Sequence, residues 1–135
     1  MPVEIKGKYE GELRVSLIHG PSNNIIETDA PTDNQGKGAR FSPTDLVVAA
    51  LGSCMMTIMG IVAKRDGIKL EGTHFRAEKH MLENPRRIGK IVLEFNLPMN
   101  LSDLQKTKLE KAAYACPVHH SLLPEIEKDI KFIYP

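Results

Sequence analysis

The sequence is poor in the residue types that mark several classes of protein. Aromatic residues are 5% of the 135 residues, tryptophan is absent, and Lys plus Arg (18) nearly balances Asp plus Glu (17). Without a basic, aromatic-rich stripe there is no electrostatic footprint for nucleic acid. Two cysteines are too few for a disulfide scaffold, and the polar start lacks the apolar core of a secretory signal. We therefore predict a cytoplasmic protein with a single domain over residues 1–135.

One long segment is uncharged. Residues 46–63, "LVVAALGSCMMTIMGIVA", just reach the length of a membrane span. The segment contains Gly52, Ser53, Thr57 and Gly60, and no second apolar run could join it in a bundle. We predict a buried core helix and no membrane contact.

The ends of this helix carry clear signals. Ser42 is a good N-cap, Pro43 fits the first helical position, and Asp45 can reach back to the cap. The helix should run from residue 43 to about residue 65 and stop at Gly67. Small residues would let another helix approach closely, including one from a second copy of the chain: Ala49, Ala50, Gly52, Ser53 and Gly60.

The rest of the chain alternates like strands or repeats like a helix. Residues 3–9, 12–18 and 25–29 predict three strands before the helix. "LEGTHFRAEKHML" and "IGKIVLEFNLP" predict a hairpin after it, and "IKFIY" a closing strand. "SDLQKTKLEKAAYA" opens with the capping-box pair Ser102 and Gln105. The sum is an α+β protein.

The two cysteines occupy different settings. Cys54 lies in the middle of the apolar helix, where it is either a small buried hydrophobe or a nucleophile that needs a nearby cation or donor to ionise. Cys116 precedes Pro117, so the preceding helix should end there. Cys116 is then the predicted N-cap of a short helix, "PVHHSLL", a position that lowers the pKa of a thiol. The alternative for Cys116 is an inert linker residue.

A weak metal motif overlaps the second cysteine. Cys116, His119 and His120 form C-x-x-H-H, and Cys54 could complete four zinc ligands. No second C-x-x-C or H-x-x-H pair supports this site, and a capped, half-exposed helix face explains the histidines as well. We predict no metal.

Three segments, "FSPTDLVVAALGSCMM", "PRRIGKIVLEFNLP" and "YACPVHHSL", resemble the OsmC/Ohr family of osmotically inducible and organic hydroperoxide resistance proteins. The resemblance runs from about residue 36 to the end. It implies an OsmC-like α+β fold with antiparallel sheets around a long buried central helix, assembled as an intertwined homodimer.

The resemblance also implies a reaction. Cys54 would be the peroxidatic thiolate that attacks an organic hydroperoxide and becomes a sulfenic acid, and Cys116 would resolve it as a disulfide. A dithiol, lipoyl-linked in the better-known members, would reduce the pair. No cofactor is implied.

This chain departs from the family at two positions. The family's catalytic Glu, ten residues before the helix cysteine, is Thr44 here, and the carboxylate follows at Asp45. Nine residues of helix span roughly 14 Å, so Asp45 could serve only the Cys54 of a partner with an antiparallel helix; otherwise it is a cap. The family's activating arginine is either Arg14 or Arg40. We prefer Arg40, which adjoins the helix start.

The predicted function is a thiol-dependent organic hydroperoxide reductase that uses Cys54, Cys116, Arg40 and Asp45. Met55, Met56 and Met59 favour an organic substrate if they line a pocket, although core packing explains at least two of them. The alternative is a non-enzymatic protein that binds a hydrophobic small molecule while both cysteines stay inert.

Overall fold

The structure, a computed structural model, describes every residue from Met1 to Pro135. The chain forms two compact units, residues 1–47 and residues 48–135. The prediction of one domain over residues 1–135 stays a prediction.

The first unit is a three-stranded antiparallel sheet. Its strands are β1 (Ile5–Gly11), β2 (Arg14–His19) and β3 (Ile25–Asp29), in that order. A two-residue turn joins β1 to β2. Both of its residues, Glu12 and Leu13, have positive φ, as the type I′ turn of a β-hairpin requires. The register places Arg14 opposite Asp29. The three strands match the sequence prediction.

Helix α1 (Pro43–Arg65) follows a loop that holds one turn of 3₁₀ helix. It begins where the sequence predicts: the Asp45 N–H donates to Ser42 Oγ at 3.0 Å, and the Ser42 N–H donates to Asp45 Oδ2 at 2.9 Å. These reciprocal bonds form a capping box. The helix ends at Arg65, and Gly67 follows with a φ of +71°, while the Ile68 N–H donates to the carbonyl of Ala63.

The second unit contains a mixed sheet. Strands β4 (His74–Leu82) and β5 (Arg87–Asn96) form the predicted antiparallel hairpin, and β6 (Glu127–Ile133) pairs with β5 in parallel. Helices α2 (Asp103–Tyr114) and α3 (Pro117–Ser121) connect β5 to β6. This helical connection returns the chain in the same direction, which a parallel pair requires. The α+β prediction is confirmed, and the structure corrects one detail, because this second sheet is not purely antiparallel.

Helix α1 lies in the core of the second unit. Its stretch of mean hydropathy 2.2 passes the length and composition test for a membrane span. However, its buried face packs with residues of β5 and α2 in one apolar cluster, which is the arrangement of a core helix. The buried members are Val48, Leu51, Met55, Met59, Ala63, Ile91, Leu93, Phe95, Leu97, Leu109, Ala113 and Cys116. Met55 and Met59 are therefore core residues, as the packing alternative predicts.

The small residues of α1 differ in use. A Cβ on Gly52 would lie 2.5 Å from the ring of Phe75 on β4, so this glycine admits a side chain of the sheet and not a second helix. Gly60 faces open space, and Ala50 and Ser53 are exposed. Only the exposed residues remain available to another chain.

Candidate redox site

Cys54 lies in the middle of α1 at the edge of the core. Its side chain is half-buried and packs against the apolar cluster. The neighbouring helix residues Ser53 and Thr57 are exposed. Cys54 therefore lies between the protein interior and solvent, and a small substrate can approach it without entering the core.

Cys116 lies in the junction between α2 and α3. Its backbone is extended, with φ −67° and ψ 141°, as expected for a residue that precedes proline. It caps α3: the His119 N–H donates to Cys116 Sγ at 3.2 Å. The predicted N-cap position is confirmed. The side chain is fully buried, so this cysteine is not an exposed linker residue.

The fold brings the two thiols together. The Cys54 side chain lies within hydrogen-bonding reach of Cys116, although 62 positions separate them in the chain (116 − 54). Both cysteines are free. The two thiols are therefore neighbours in the fold, and the pair is a candidate dithiol–disulfide couple.

The ionisation of Cys116 runs against the prediction made from its N-cap position. Burial raises the pKa of the Cys116 thiol, and a hydrogen bond with Cys54 and charge on Cys54 raise it further. The N–H groups of His119 and Val118 oppose this shift but do not overcome it. Desolvation therefore exceeds the effect of the helix end, and the expected lowering is wrong. The raised pKa favours the protonated thiol form of Cys116.

The remaining members of the C-x-x-H-H motif do not converge on the cysteines as ligands. No group of three or more His, Cys, Asp or Glu side chains in the chain could hold a metal ion. His119 is half-buried and His120 is exposed. Burial lowers the pKa of the His119 imidazole, and Lys128 and His120 lower it further. The His119 ring is therefore neutral at physiological pH.

The two candidate arginines of the first unit have different partners. Arg40 makes an exposed ion pair, with Nε 3.1 Å from Glu27 Oε1. Arg14 donates from Nε to Asp29 Oδ1 at 2.7 Å and from Nη2 to Oδ2 at 2.9 Å. Asp29 is 1% exposed and also accepts the N–H of Ala39. The hydrogen bonds from Arg14 hold the pKa of Asp29 below its usual value.

Asp29 was not among the predicted site residues. No local sequence pattern points to Asp29, because its partner Arg14 faces it from the neighbouring strand, across β2 and β3. Asp45, by contrast, caps α1, which is the alternative role that the sequence analysis gives it. The catalytic roles of Arg40 and Asp45 stay predictions.

Comparisons with known proteins agree on one family. The model of a family described as OsmC-like protein matches residues 36–131. A Psychrobacter arcticus structure, provisionally named an osmotic stress induced and detoxification response protein, is 42% identical with a TM-score of 0.92, over 96% of this chain and 94% of that one.

More distant structures share the fold. An organic hydroperoxide resistance protein OsmC from Legionella pneumophila is 16% identical with a TM-score of 0.77, over 98% and 96% of the two chains. One from Elizabethkingia anophelis is 18% identical with a TM-score of 0.77, over 100% and 97%. No curated protein matches the sequence.

Proposed function

Since the chain belongs to the OsmC-like protein family, we propose that it is a thiol-dependent peroxidase that reduces organic hydroperoxides. The family, and relatives named for detoxification and organic hydroperoxide resistance, support a stress-related redox role. The observation that carries the proposal is the pair of free thiols, Cys54 and Cys116, within reach of each other.

In the first step, Cys54 acts as the nucleophile. Its thiolate sulfur attacks the terminal oxygen of R–O–O–H, the O–O bond breaks, and the alkoxide leaves and takes a proton as an alcohol. Cys54 becomes a sulfenic acid. The half-buried position of Cys54 supports this assignment, because the fully buried Cys116 is less accessible to a substrate.

In the second step, Cys116 resolves the oxidised cysteine. Its sulfur attacks the Cys54 sulfur, the S–O bond breaks, and water leaves as the disulfide forms. The raised pKa of Cys116 supports this division of labour, since a thiol that stays protonated is the weaker nucleophile towards the hydroperoxide. A dithiol such as a lipoyl-linked one would return both cysteines to the thiol state by exchange.

Arg40, Asp45 and a homodimer complete the proposal. Arg40, or Arg14, would stabilise the Cys54 thiolate, and Asp45 of one copy would serve Cys54 of the other.

The exposed face of α1 supports self-association, because Ala50, Ser53, Thr57 and Ile61 follow one another at helical spacing and Ile61 is 56% exposed. Light scattering should give a molar mass in solution of twice the chain mass. The variant Ile61→Lys should lower this molar mass towards that of a single chain.

The test is turnover of tert-butyl hydroperoxide with dihydrolipoamide as reductant. Wild type should consume peroxide, Cys54→Ser should be inactive, and Cys116→Ser should stop after one equivalent with a trappable sulfenic acid. Val118→Ala is a matched control at a half-buried position beside Cys116. Activity that survives in Cys54→Ser would contradict the mechanism.

One observation favours the alternative of a binding protein. The first unit has a largely apolar groove of about 520 Å³ lined by Ile5, Leu17, Ile18 and Ile26, with His19, Ser22 and Asn24 also at its surface. A groove of this size can hold a small hydrophobic molecule. If wild type consumes no peroxide and both thiols remain free, co-purified ligand should be sought by mass spectrometry of the extracted protein.

A further inference from the structure

The sulfur of Cys116 holds the start of helix α3. It accepts the His119 N–H at 3.2 Å, and the Val118 N–H also acts on it as a hydrogen-bond donor. Pro117, the first helical residue, has no N–H. The next N–H along the helix, that of His120, donates to the carbonyl of Cys116 at 3.2 Å. One sulfur atom therefore serves the N–H groups of the first turn that have no carbonyl partner.

The same sulfur is hydrogen-bonded to Cys54 of α1. It therefore lies between a partner on one helix and two donors on another. In a disulfide, a covalent bond replaces the contact with Cys54, and this bond is shorter than the hydrogen bond before it. The sulfur of Cys116 must then move away from the donors of α3, unless α3 moves with it.

Of the two helices, α3 is the one that can yield. Helix α1 has 23 residues, six of which are buried. Helix α3 has five residues, and none of them is buried. Because so short a helix makes few hydrogen bonds of its own, it depends on its cap and its surroundings for order.

The cap of α2 shows what is different about α3. In α2 the Gln105 N–H donates to Ser102 Oγ at 3.1 Å, and the Gln105 side chain accepts the Ser102 N–H at 2.9 Å. Serine is among the usual N-cap residues, whereas a thiol sulfur is a weak acceptor. Oxidation leaves the hydroxyl of Ser102 unchanged but changes the sulfur of Cys116. The cap of α3 is therefore sensitive to redox state in a way that the cap of α2 is not.

We propose that formation of a Cys54–Cys116 disulfide removes the cap of α3 and opens its first turn. The inference rests on the proposed use of the two thiols as one redox couple. The thiols lose two electrons and two protons as the S–S bond forms, and a hydroperoxide that accepts them becomes an alcohol and water. Opening of α3 exposes the buried Cys116 sulfur to the reducing dithiol, and reduction restores both the thiol and the cap.

The experiment compares backbone amide hydrogen exchange, measured by NMR, in the reduced protein and in the protein oxidised with diamide. Diamide oxidises a pair of thiols to a disulfide while its N=N bond takes up the two hydrogens, so no hydroperoxide chemistry is needed. Mass spectrometry of proteolytic peptides verifies the Cys54–Cys116 bond. The Gln105 N–H is the internal control, because a hydroxyl caps it.

We expect the His119 N–H to exchange about fivefold or more faster in the oxidised protein, as loss of an N-cap predicts, and the Gln105 N–H to be unchanged. Equal exchange of the His119 N–H in the two forms would overturn the proposal, and so would failure of diamide to join the two cysteines. Faster exchange after diamide in a protein that consumes no hydroperoxide would support this switch while the proposed peroxidase function fails.

Three variants separate the cap from the disulfide. Cys116→Ala removes the cap without a disulfide, so the His119 N–H should exchange fast with or without diamide. Cys116→Ser provides a hydroxyl cap that cannot be oxidised to a disulfide, and Cys54→Ser keeps the sulfur cap but removes its partner. In both serine variants diamide should leave the exchange of His119 slow. Slow exchange in Cys116→Ala would show that the cap does not hold α3, and the proposal would fail.

Discussion

The two units bury opposite kinds of residues. The buried residues of residues 1–47 are Thr28, Asp29 and Ser42, which are all polar. Every buried residue of residues 48–135 is apolar or glycine. The first unit is thus organised by directional bonds and the second by apolar burial, so they should respond to different perturbations.

The first unit also leaves apolar side chains uncovered. Ile5, Tyr9, Ile25 and Phe41 are each about 60% exposed. A three-stranded sheet without a buried apolar face is marginal in isolation. The exposed apolar side chains therefore favour stabilisation of the first unit by association with another copy of the chain, in agreement with the proposed homodimer.

The largest effect should come from the core of the second unit. Phe95 is fully buried. Its ring stacks on that of Phe132, with 5.3 Å between the ring centroids, and its centroid lies 5.7 Å from that of Phe75. Phe95→Ala should lower the free energy of unfolding by about 3–5 kcal/mol, through lost burial and a cavity. Urea denaturation measures it. Leu104→Ala, at a 78% exposed position, is the control. An equal loss of unfolding free energy in both variants would contradict the conclusion that apolar burial stabilises the second unit.

The next effect concerns the ion pair of the first unit. Asp29→Asn removes the charge that faces Arg14, so the melting temperature should fall at pH 7. The pKa of Asp29 is lowered in the fold, so its stabilisation is complete above its ordinary value of 3.8 and is lost as the pH falls through the folded value. Wild type and Asp29→Asn should therefore converge in acid. A constant difference in melting temperature from pH 7 to pH 2 would show that charge is not the cause.

Local patterns predicted most of the fold because their causes are local. Ser42 with Asp45 marks the start of α1, and Pro117 makes Cys116 a cap; both depend on a few neighbouring residues. The parallel pairing of β6 depends on where the chain returns after α3, which no local pattern records.

The candidate site was less predictable for the same reason. The closeness of Cys54 and Cys116 came from a family resemblance, since no spacing rule links residues so far apart. The raised pKa of Cys116 was missed because burial, a property of the whole fold, exceeds the effect of its own helix end. The Arg14–Asp29 pair was missed because it is a contact between strands.

A smaller effect should follow from a polar contact in the apolar unit. Ser102 caps α2 in a complete box with Gln105. Ser102→Ala should cost about 1 kcal/mol, because one N–H of the first turn loses its partner. Ser102→Asp, which preserves a capping oxygen, should retain most of the stability. If Ser102→Ala destabilised the protein as much as Phe95→Ala, the contrast between polar contacts and core packing would fail.

The smallest effect on stability should come from Arg40→Ala. Its ion pair with the half-buried Glu27 lies at the protein surface, and such pairs contribute less than about 1 kcal/mol. Arg14→Ala should cost more, because it leaves the buried carboxylate of Asp29 without its partner. The two variants therefore separate chemistry from folding. If peroxide turnover is lost in Arg40→Ala while its unfolding curve is unchanged, Arg40 acts on the reaction. Arg14→Lys is milder than Arg14→Ala, because it retains a cation opposite Asp29. If Arg40→Ala keeps full turnover and Arg14→Lys loses it, the activating group is the guanidinium of Arg14.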